Sequence, residues 1–185
     1  MTAIDQLDPK TLLAQLTTSV SEFLRMRGRQ KPLIIGLHRG GVWVANALHC
    51  SLMQANTLAD PHIGQLDISF YRDDFATAGL PGTAKGSQLP VDINGRDVLL
   101  VDDILYTGRT IRAAMNELFD YGRPTSITLA ALIERDGREL PIHADCVGAR
   151  ISLPANQVLK LSQTQSGGLA LVLHERGVQS DSTLA

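Results

Sequence analysis

The sequence predicts an α/β fold: a mostly parallel central sheet flanked by helices. Three observations carry this. The runs LIIGL (33–37), DVLLV (97–101) and SITLAALIE (126–134) are apolar almost throughout, as strands covered on both faces are. VWVANALHCSLMQ (42–54) and TIRAAMNELFDYG (110–122) follow the first two runs and read as helices. Strand–helix–strand repetition builds a parallel sheet, because the crossover helix brings the chain back to the end where the strand began.

The remaining elements follow in chain order. Asp8-Pro9 reads as an N-cap with proline at the first helical position. Leu12, Leu13, Leu16, Val20, Phe23 and Leu24 then recur at helical spacing, and Gly28 is the expected stop. HRGG joins the first strand to the next helix. In GQLDISF (64–70), Leu66, Ile68 and Phe70 alternate with polar residues, which predicts a strand with one wet face. YRDDFATAGLPGTAKGSQ (71–88) has no periodicity and holds Gly79, Pro81, Gly82 and Gly86. So long a flexible loop inside a compact domain is usually functional or disordered. Gly122 and Pro124 end the helix after the second strand. Beyond residue 135 the pattern shifts to short β pieces, DCVGARI, QVLKL and LALVLHE, expected to form an antiparallel appendage at one edge. Residues 1–176 read as one domain and GVQSDSTLA (177–185) as a disordered tail.

Bulk properties narrow the class. The chain has 185 residues, long enough for a real core, with 44% hydrophobic and 19% charged residues. No apolar run approaches the roughly 20 residues of a membrane span. The N-terminus has an early Asp5 and no apolar stretch, which argues against a secretory signal. Cys50 and Cys146 lie far apart without CxxC spacing, as expected of reduced thiols in a cytoplasmic protein. A net charge of −2 argues against a chain coated in nucleic acid, though it permits a local basic face.

The chemistry concentrates in VLLVDDILYTGRT (98–110). In open α/β sheets ligands bind beyond the carboxyl ends of strands, and Asp102 and Asp103 are expected at such an end. Thr107, Gly108, Arg109 and Thr110 then lead into a helix N-terminus, where backbone N–H groups and the helix dipole attract anions. Gly108 permits close approach of a phosphate, the threonine hydroxyls can donate to it, and Arg109 adds charge at the rim. Two carboxylates beside such a cradle suit the vicinal hydroxyls of a sugar, or a magnesium ion held through water. The ligand so described is a ribose with a 5′-phosphate. An acidic pair alone can also do no more than cap a βα turn. Followed at this spacing by TGRT and a helix, it is far more specific.

This stretch (Val98, Leu99, Leu100, Val101, Asp102, Asp103, Ile104, Leu105, Tyr106, Thr107, Gly108, Arg109 and Thr110) resembles the phosphoribosyl diphosphate (PRPP) motif of type I phosphoribosyltransferases. Purine-salvage members carry an Asp where Tyr106 stands, facing a purine N7 proton, so Tyr106 lowers the purine reading. DDILYTGRT, YRDD (71–74), LPVDI (89–93), FDYGRP (119–124) and RELPIHAD (138–145) together resemble the bifunctional pyrimidine-operon regulator and uracil phosphoribosyltransferase family, from about Leu33 to Glu175.

The resemblance implies a type I phosphoribosyltransferase fold with a small hood built from both chain ends. It implies that uracil and PRPP give UMP and diphosphate, that Mg²⁺ accompanies PRPP, and that the protein is a homodimer or larger. Asp102 and Asp103 would hold the ribose hydroxyls and, indirectly, the metal. The 107–110 loop would hold the 5′-phosphate, and the 71–88 loop would close over the site, with Arg72 and Lys85 as cations for the diphosphate. A solvated loop charge is the competing reading for either cation.

His38, Arg39 and Gly40 fall in the family's diphosphate loop. Relatives commonly carry Thr-Arg-Gly where this chain has Arg39-Gly40-Gly41, so the cation sits one place earlier. Uracil recognition points to the hood around 134–142, with Glu134, Arg138, Leu140 and Pro141 as candidates. Asp136-Gly137 is a further departure, since relatives often have Gly-His there. Trp43, Asp145 and Cys146 read as packing or turn residues. The competing function is regulatory RNA binding, by Arg25, Arg27, Arg29 and Lys31 with Arg112, Arg123, Arg138 and Arg150, to a pyrimidine-operon leader. In that reading transferase activity is weak or vestigial. A regulator that senses nucleotides without RNA is the third possibility.

Overall fold

A computed structural model describes residues 7–29, 31–68, 86–165 and 167–175. Most of the 71–88 loop, Arg72 and Lys85 with it, and the 177–185 tail lie outside the described residues.

Helix α1 (Pro9–Met26) begins and ends on local signals. The Asp8 side chain accepts a hydrogen bond from the Thr11 N–H at 3.0 Å, and Pro9 opens the first turn. At the other end Gly28 has φ +63°; its N–H donates to Arg25 O at 3.2 Å and that of Arg29 to Leu24 O at 2.9 Å. These paired bonds satisfy last-turn carbonyls, and the left-handed residue between them favours glycine.

Five parallel strands form the main sheet: β1 (Leu33–Leu37), β2 (Ile63–Leu66), β3 (Asp97–Leu105), β4 (Ser126–Arg135) and β5 (Cys146–Ile151). Their order is β2-β1-β3-β4-β5. Helix α2 (Gly40–Gln54) follows β1, and α3 (Arg109–Tyr121) follows β3. Strand β3 is buried on both sides. Leu99 and Val101 join Leu16, Val20, Leu24 and Leu48 from α1 and α2 in one core. Val98 and Leu100 join Ile111, Ala114 and Leu118 of α3 in the other. That two-sided burial is why the run is apolar without alternation.

Four expectations need correction. DCVGARI does not join an antiparallel appendage: β5 pairs parallel with β4, Ala130 opposite Cys146, and closes the main sheet. Among the described residues β6 (Gln157–Gln163) and β7 (Leu169–Glu175) are the one pair of strands that runs antiparallel. The GQLDISF strand covers only Ile63–Leu66 among the described residues. Within it burial alternates as expected, Ile63 and Gln65 half-buried and Gly64 and Leu66 buried, while Asp67 and Ile68 beyond its end are both buried. The second apolar strand runs on to Leu105, so the acidic pair lies within β3. Helix α2 starts at Gly40, earlier than the apolar periodicity shows.

Helix α1 lies in the first core, against β4 and β5, and the β6–β7 pair packs Leu159 and Leu161 onto the same cluster. Among the described residues no helix is long and apolar enough to cross a membrane.

Candidate active site

The strand order fixes where a ligand can sit. From β1 the chain goes outward to β2, then crosses back to place β3 on the other side of β1. Neighbouring loops after β1 and β3 therefore diverge, and ligands of such sheets bind in that crevice. Pairing of β1 with β3 ends at Gly36 opposite Val101, whereas pairing of β3 with β4 continues to Leu105 opposite Glu134. Asp102 and Asp103 thus start where β1 has run out. They are still anchored by β4, Asp102 buried and Asp103 half-buried at the crevice.

The loop after β1 lies directly on them. A Cβ on Gly40 would stand 2.1 Å from Asp103 Oδ2, and one on Gly41 2.6 Å from the carbonyl oxygen of Val101. Only glycine lets the start of α2 approach so closely. The diphosphate-loop and acidic-pair residues predicted from separate segments are therefore brought together. His38 is half-buried, and its N–H donates to Leu66 O at 2.9 Å. The His38–Arg39 peptide is cis. Arg39 is exposed and caps α2 without a side-chain hydrogen bond.

Asp102 is 5% exposed, and its Oδ1 accepts from the Asp103 N–H at 3.0 Å. Asp103 is half-buried beside it. Among the described residues no three His, Cys, Asp or Glu side chains cluster to hold a metal ion. Two carboxylates fit a magnesium ion that keeps its waters and substrate oxygens, and do not fit an all-protein cage.

On the far side of β3 the chain turns through Tyr106, Thr107 and Gly108 into α3. Gly108 has φ +90° and, having no side chain, offers the first-turn N–H groups no acceptor of its own. The Arg109 N–H reaches Thr107 Oγ1 at 3.3 Å, and Thr110 is half-buried in the first turn. A second segment backs this loop. The N–H groups of Glu139 and Leu140 both donate to Thr107 O at 3.1 Å, and a Cβ on Gly108 would lie 3.3 Å from Leu140 Cβ. Arg109 Nε pairs with Glu139 Oε2 at 2.7 Å. The phosphate loop and the predicted uracil segment are thus one joined unit.

Within that segment the candidates divide. Leu140 is half-buried against Gly108, while Pro141 is exposed. Arg138 is exposed and touches His143. Glu134 is taken up by Arg150 Nε at 2.9 Å, with His143 Nδ1 at 3.8 Å. Val98, Leu99, Leu100 and Val101 are wholly buried, so they carry the motif's strand and their side chains line no site. Half-buried Ile104 packs on the first core, and buried Leu105 belongs to the second. Asp145 Oδ2 accepts from the Leu129 N–H at 2.8 Å, Cys146 is buried and Trp43 packs on the first core, as a packing reading requires.

Arg135 at the end of β4 escaped the sequence reading, and Gly137, noted there only as a departure, has a steric role that the sequence did not show. Arg135 is 6% exposed and its guanidinium lies over the Tyr106 ring, 4.0 Å from its centroid. Gly137 has φ +100°, and a Cβ there would be 2.4 Å from Tyr106 Cε2. An arginine closing an otherwise apolar strand run was the available signal.

A parallel sheet with a glycine loop, an acidic pair and a glycine-capped helix start at its switch point is the frame of an α/β ligand-binding crevice. The phosphoribosyl transferase domain family matches residues 3–158. The bifunctional protein PyrR of Nitrosococcus oceani is 50% identical over 151 residues, covering 82% of this chain and 84% of the relative. That of Pseudomonas syringae pv. syringae is 46% identical over 164 residues, covering 89% and 94%. The chain belongs to the phosphoribosyl transferase domain family and, within it, to the bifunctional PyrR proteins.

Solved structures agree on the fold. The hypoxanthine phosphoribosyltransferase of Trypanosoma cruzi superposes with a TM-score of 0.60 at 21% identity, covering 80% of this chain and 81% of that one. A hypoxanthine-guanine phosphoribosyltransferase of Bacillus anthracis gives 0.58 at 18%, covering 79% and 80%.

Proposed function

We propose that the protein transfers the phosphoribosyl group of PRPP to uracil, releasing UMP and diphosphate, and that it regulates pyrimidine biosynthesis genes in response to UMP. The observation that carries the transferase reading is the contact of Gly40 with Asp103. It sets a diphosphate loop, two carboxylates and, through β3, the Thr107–Thr110 loop around one crevice.

Such a transfer develops positive charge on the ribose and negative charge on the departing diphosphate, so catalysis rests on positioning and electrostatics. Asp102 and Asp103 orient the ribose hydroxyls and favour the cationic sugar. The α2 N-terminus with Arg39 faces the diphosphate, and the α3 N-terminus holds the 5′-phosphate. The segment around Leu140, held by its N–H groups on Thr107 O, would flank the uracil. Asp102 and Asp103 would also hold Mg²⁺ through ribose or water oxygens. Bound there, the ion would neutralise diphosphate charge.

The double substitution Asp102→Asn with Asp103→Asn tests this. UMP formation should disappear while the melting temperature holds, because neutralising two adjacent like charges removes a local repulsion. Near-normal activity would refute the assignment.

RNA binding is the second reading, favoured by the exposure of Arg25, Lys31 and Arg112. Others of the predicted set are engaged within the protein. Arg29 holds Asp97 at 3.4 Å and Thr128 at 3.0 Å, Arg27 lies over Phe23, and Arg123 donates to Gly122 O at 3.0 Å. Filter binding of a pyrimidine-operon leader transcript, with and without UMP, decides it. Binding that survives high salt unchanged would argue against a phosphate-contact surface.

A further inference from the structure

Three consecutive residues at the end of β4 tie the phosphate loop to the turn that leads into β6. Arg135 lies over Tyr106, and its Nη1 donates to Gln157 O at 3.0 Å and its Nη2 to Leu153 O at 3.4 Å. Its Nε is buried without a partner. Asp136 Oδ1 accepts from the Leu153 N–H at 3.1 Å, and the Asp136 N–H donates to Ile151 O at 3.1 Å. Gly137 leaves the space that the Tyr106 ring occupies.

Burying a cation is costly unless its geometry is used, and an apolar residue would fill the volume more cheaply. What only arginine offers is a planar face for the ring together with a fork for two carbonyls. One side of this fork holds Tyr106, where the phosphate loop begins. The other holds 153–157, from which β6 enters and lies against β3. The predicted uracil segment leaves β4 between them.

We infer that Arg135 is a positioning residue: through Tyr106 on one side and Leu153 and Gln157 on the other, it fixes the gap between the phosphate loop and the β6–β7 hairpin. The inference rests on the transferase reading insofar as that gap admits UMP. The predicted uracil segment leaves β4 directly after Arg135 and is bonded to the phosphate loop through Thr107 O, so loosening the clamp lets both move against the hairpin and misaligns the bound pair more than it weakens PRPP binding.

The test is a double-mutant cycle of Arg135→Met and Tyr106→Leu, read by steady-state kinetics and by amide hydrogen exchange. Each single substitution should lower kcat by about tenfold with a smaller change in KM for PRPP. The double should be no worse than the poorer single, since both break the same contact. Arg135→Lys should recover part of the loss, and it takes over the cycle if Arg135→Met does not fold. In the Arg135 variants the 106–110 and 153–157 segments should lose exchange protection together, while α1 keeps its own. Additive losses, wild-type kcat in Arg135→Met, or loosening of only one segment would overturn the inference. If the wild-type protein makes no UMP, the transferase reading fails by itself. The exchange result then decides the clamp alone.

Discussion

Replacing Gly40 by alanine separates chemistry from stability at one atom. The added Cβ would lie 2.1 Å from Asp103 Oδ2 and 2.4 Å from its Cγ. Unstrained carbon–carbon contacts are about 3.5–4.0 Å, so the carboxylate must move by roughly 1 Å or more. The two closest atoms belong to the end of a half-buried side chain, so rotation relieves most of the clash, and the remaining contact with Asp103 Cβ at 3.0 Å needs a shift of only a few tenths of an ångström. Alanine also gains up to about 1 kcal/mol of helix propensity over glycine near the start of α2, leaving net stability within about 1 kcal/mol of wild type. A misplacement of that size at a reacting centre can cost about a hundredfold in rate.

Gly41→Ala is the control with the opposite signature. Its Cβ would meet Val101 O at 2.6 Å and Asp102 Cα at 3.1 Å, both backbone atoms of β3. Overpacking of this kind costs typically about 1–3 kcal/mol, and each kcal/mol lowers the melting temperature by roughly 2–4 °C in a chain of this size. UMP formation from labelled uracil, measured beside thermal melts, gives both quantities. Wild-type turnover in Gly40→Ala, or a stability loss equal to that of Gly41→Ala, would refute the reasoning.

Three further outcomes follow from other parts of the molecule. With Tyr106 where purine-salvage members carry a carboxylate, uracil should be accepted and hypoxanthine, guanine and adenine refused. A competition assay that yields IMP faster than UMP would reverse this. Burial, with a smaller contribution from Asp145, pushes the Cys146 thiol up to about 11 from the ordinary 9.0, while Cys50 is exposed. One thiol should therefore react with an aromatic disulfide in the native protein and two after denaturation. Stability should fall as pH rises from about 9 toward 11, since the unfolded thiol loses its proton first, and Cys146→Ala should flatten that slope. Burial opposes ionisation of Asp60, but bonds from the His62 N–H and ring at 2.9 and 2.8 Å, with Arg96 at 3.0 Å, outweigh it and hold its carboxyl below the usual range. That stability is present above the ordinary carboxylate pKa and lost as pH falls through the lowered one. Urea midpoints in acid should accordingly drop less steeply in Asp60→Asn than in wild type.

What could be read from sequence was what neighbours along the chain decide. Asp8, Pro9 and Gly28 set the ends of α1 by bonds spanning a few residues, and β3 and β4 announce themselves by apolar runs that two cores require. The PRPP stretch was legible for the same reason: strand, acids, loop and helix start are contiguous. The errors came where distant segments decide. CVGARI is partly exposed and follows a long connection, so its pattern does not reveal that β4 recruits it in parallel. The end of β3 was placed too early because charge at Asp102 looks like a boundary, although β4 keeps pairing with it to Leu105. Nor does anything near Gly40 in sequence indicate that Asp103 stands against it. The Arg135–Tyr106 contact was missed because it joins residues from neighbouring strand ends, 29 positions apart, and nothing near either in sequence names the other.

The register of the three central strands explains how two adjacent carboxylates can stand in a sheet. Were β1 to continue beside them, Asp102 and Asp103 would be desolvated between two strands, at a cost far above the repulsion between them. β1 stops at Gly36–Leu37, and glycines at 40 and 41 turn the chain across the opening without filling it. β4 continues on the other side, so the acids keep a fixed backbone while one flank faces the crevice. The same extension of β4 brings Arg135 level with the phosphate loop and starts the segment whose Glu139 and Leu140 bind Thr107 O. A single offset, β1 short and β4 long against β3, therefore produces both the opening beside the acidic pair and the wall that joins the end of β4 to the Thr107–Thr110 loop, the two parts on which the proposed transfer depends.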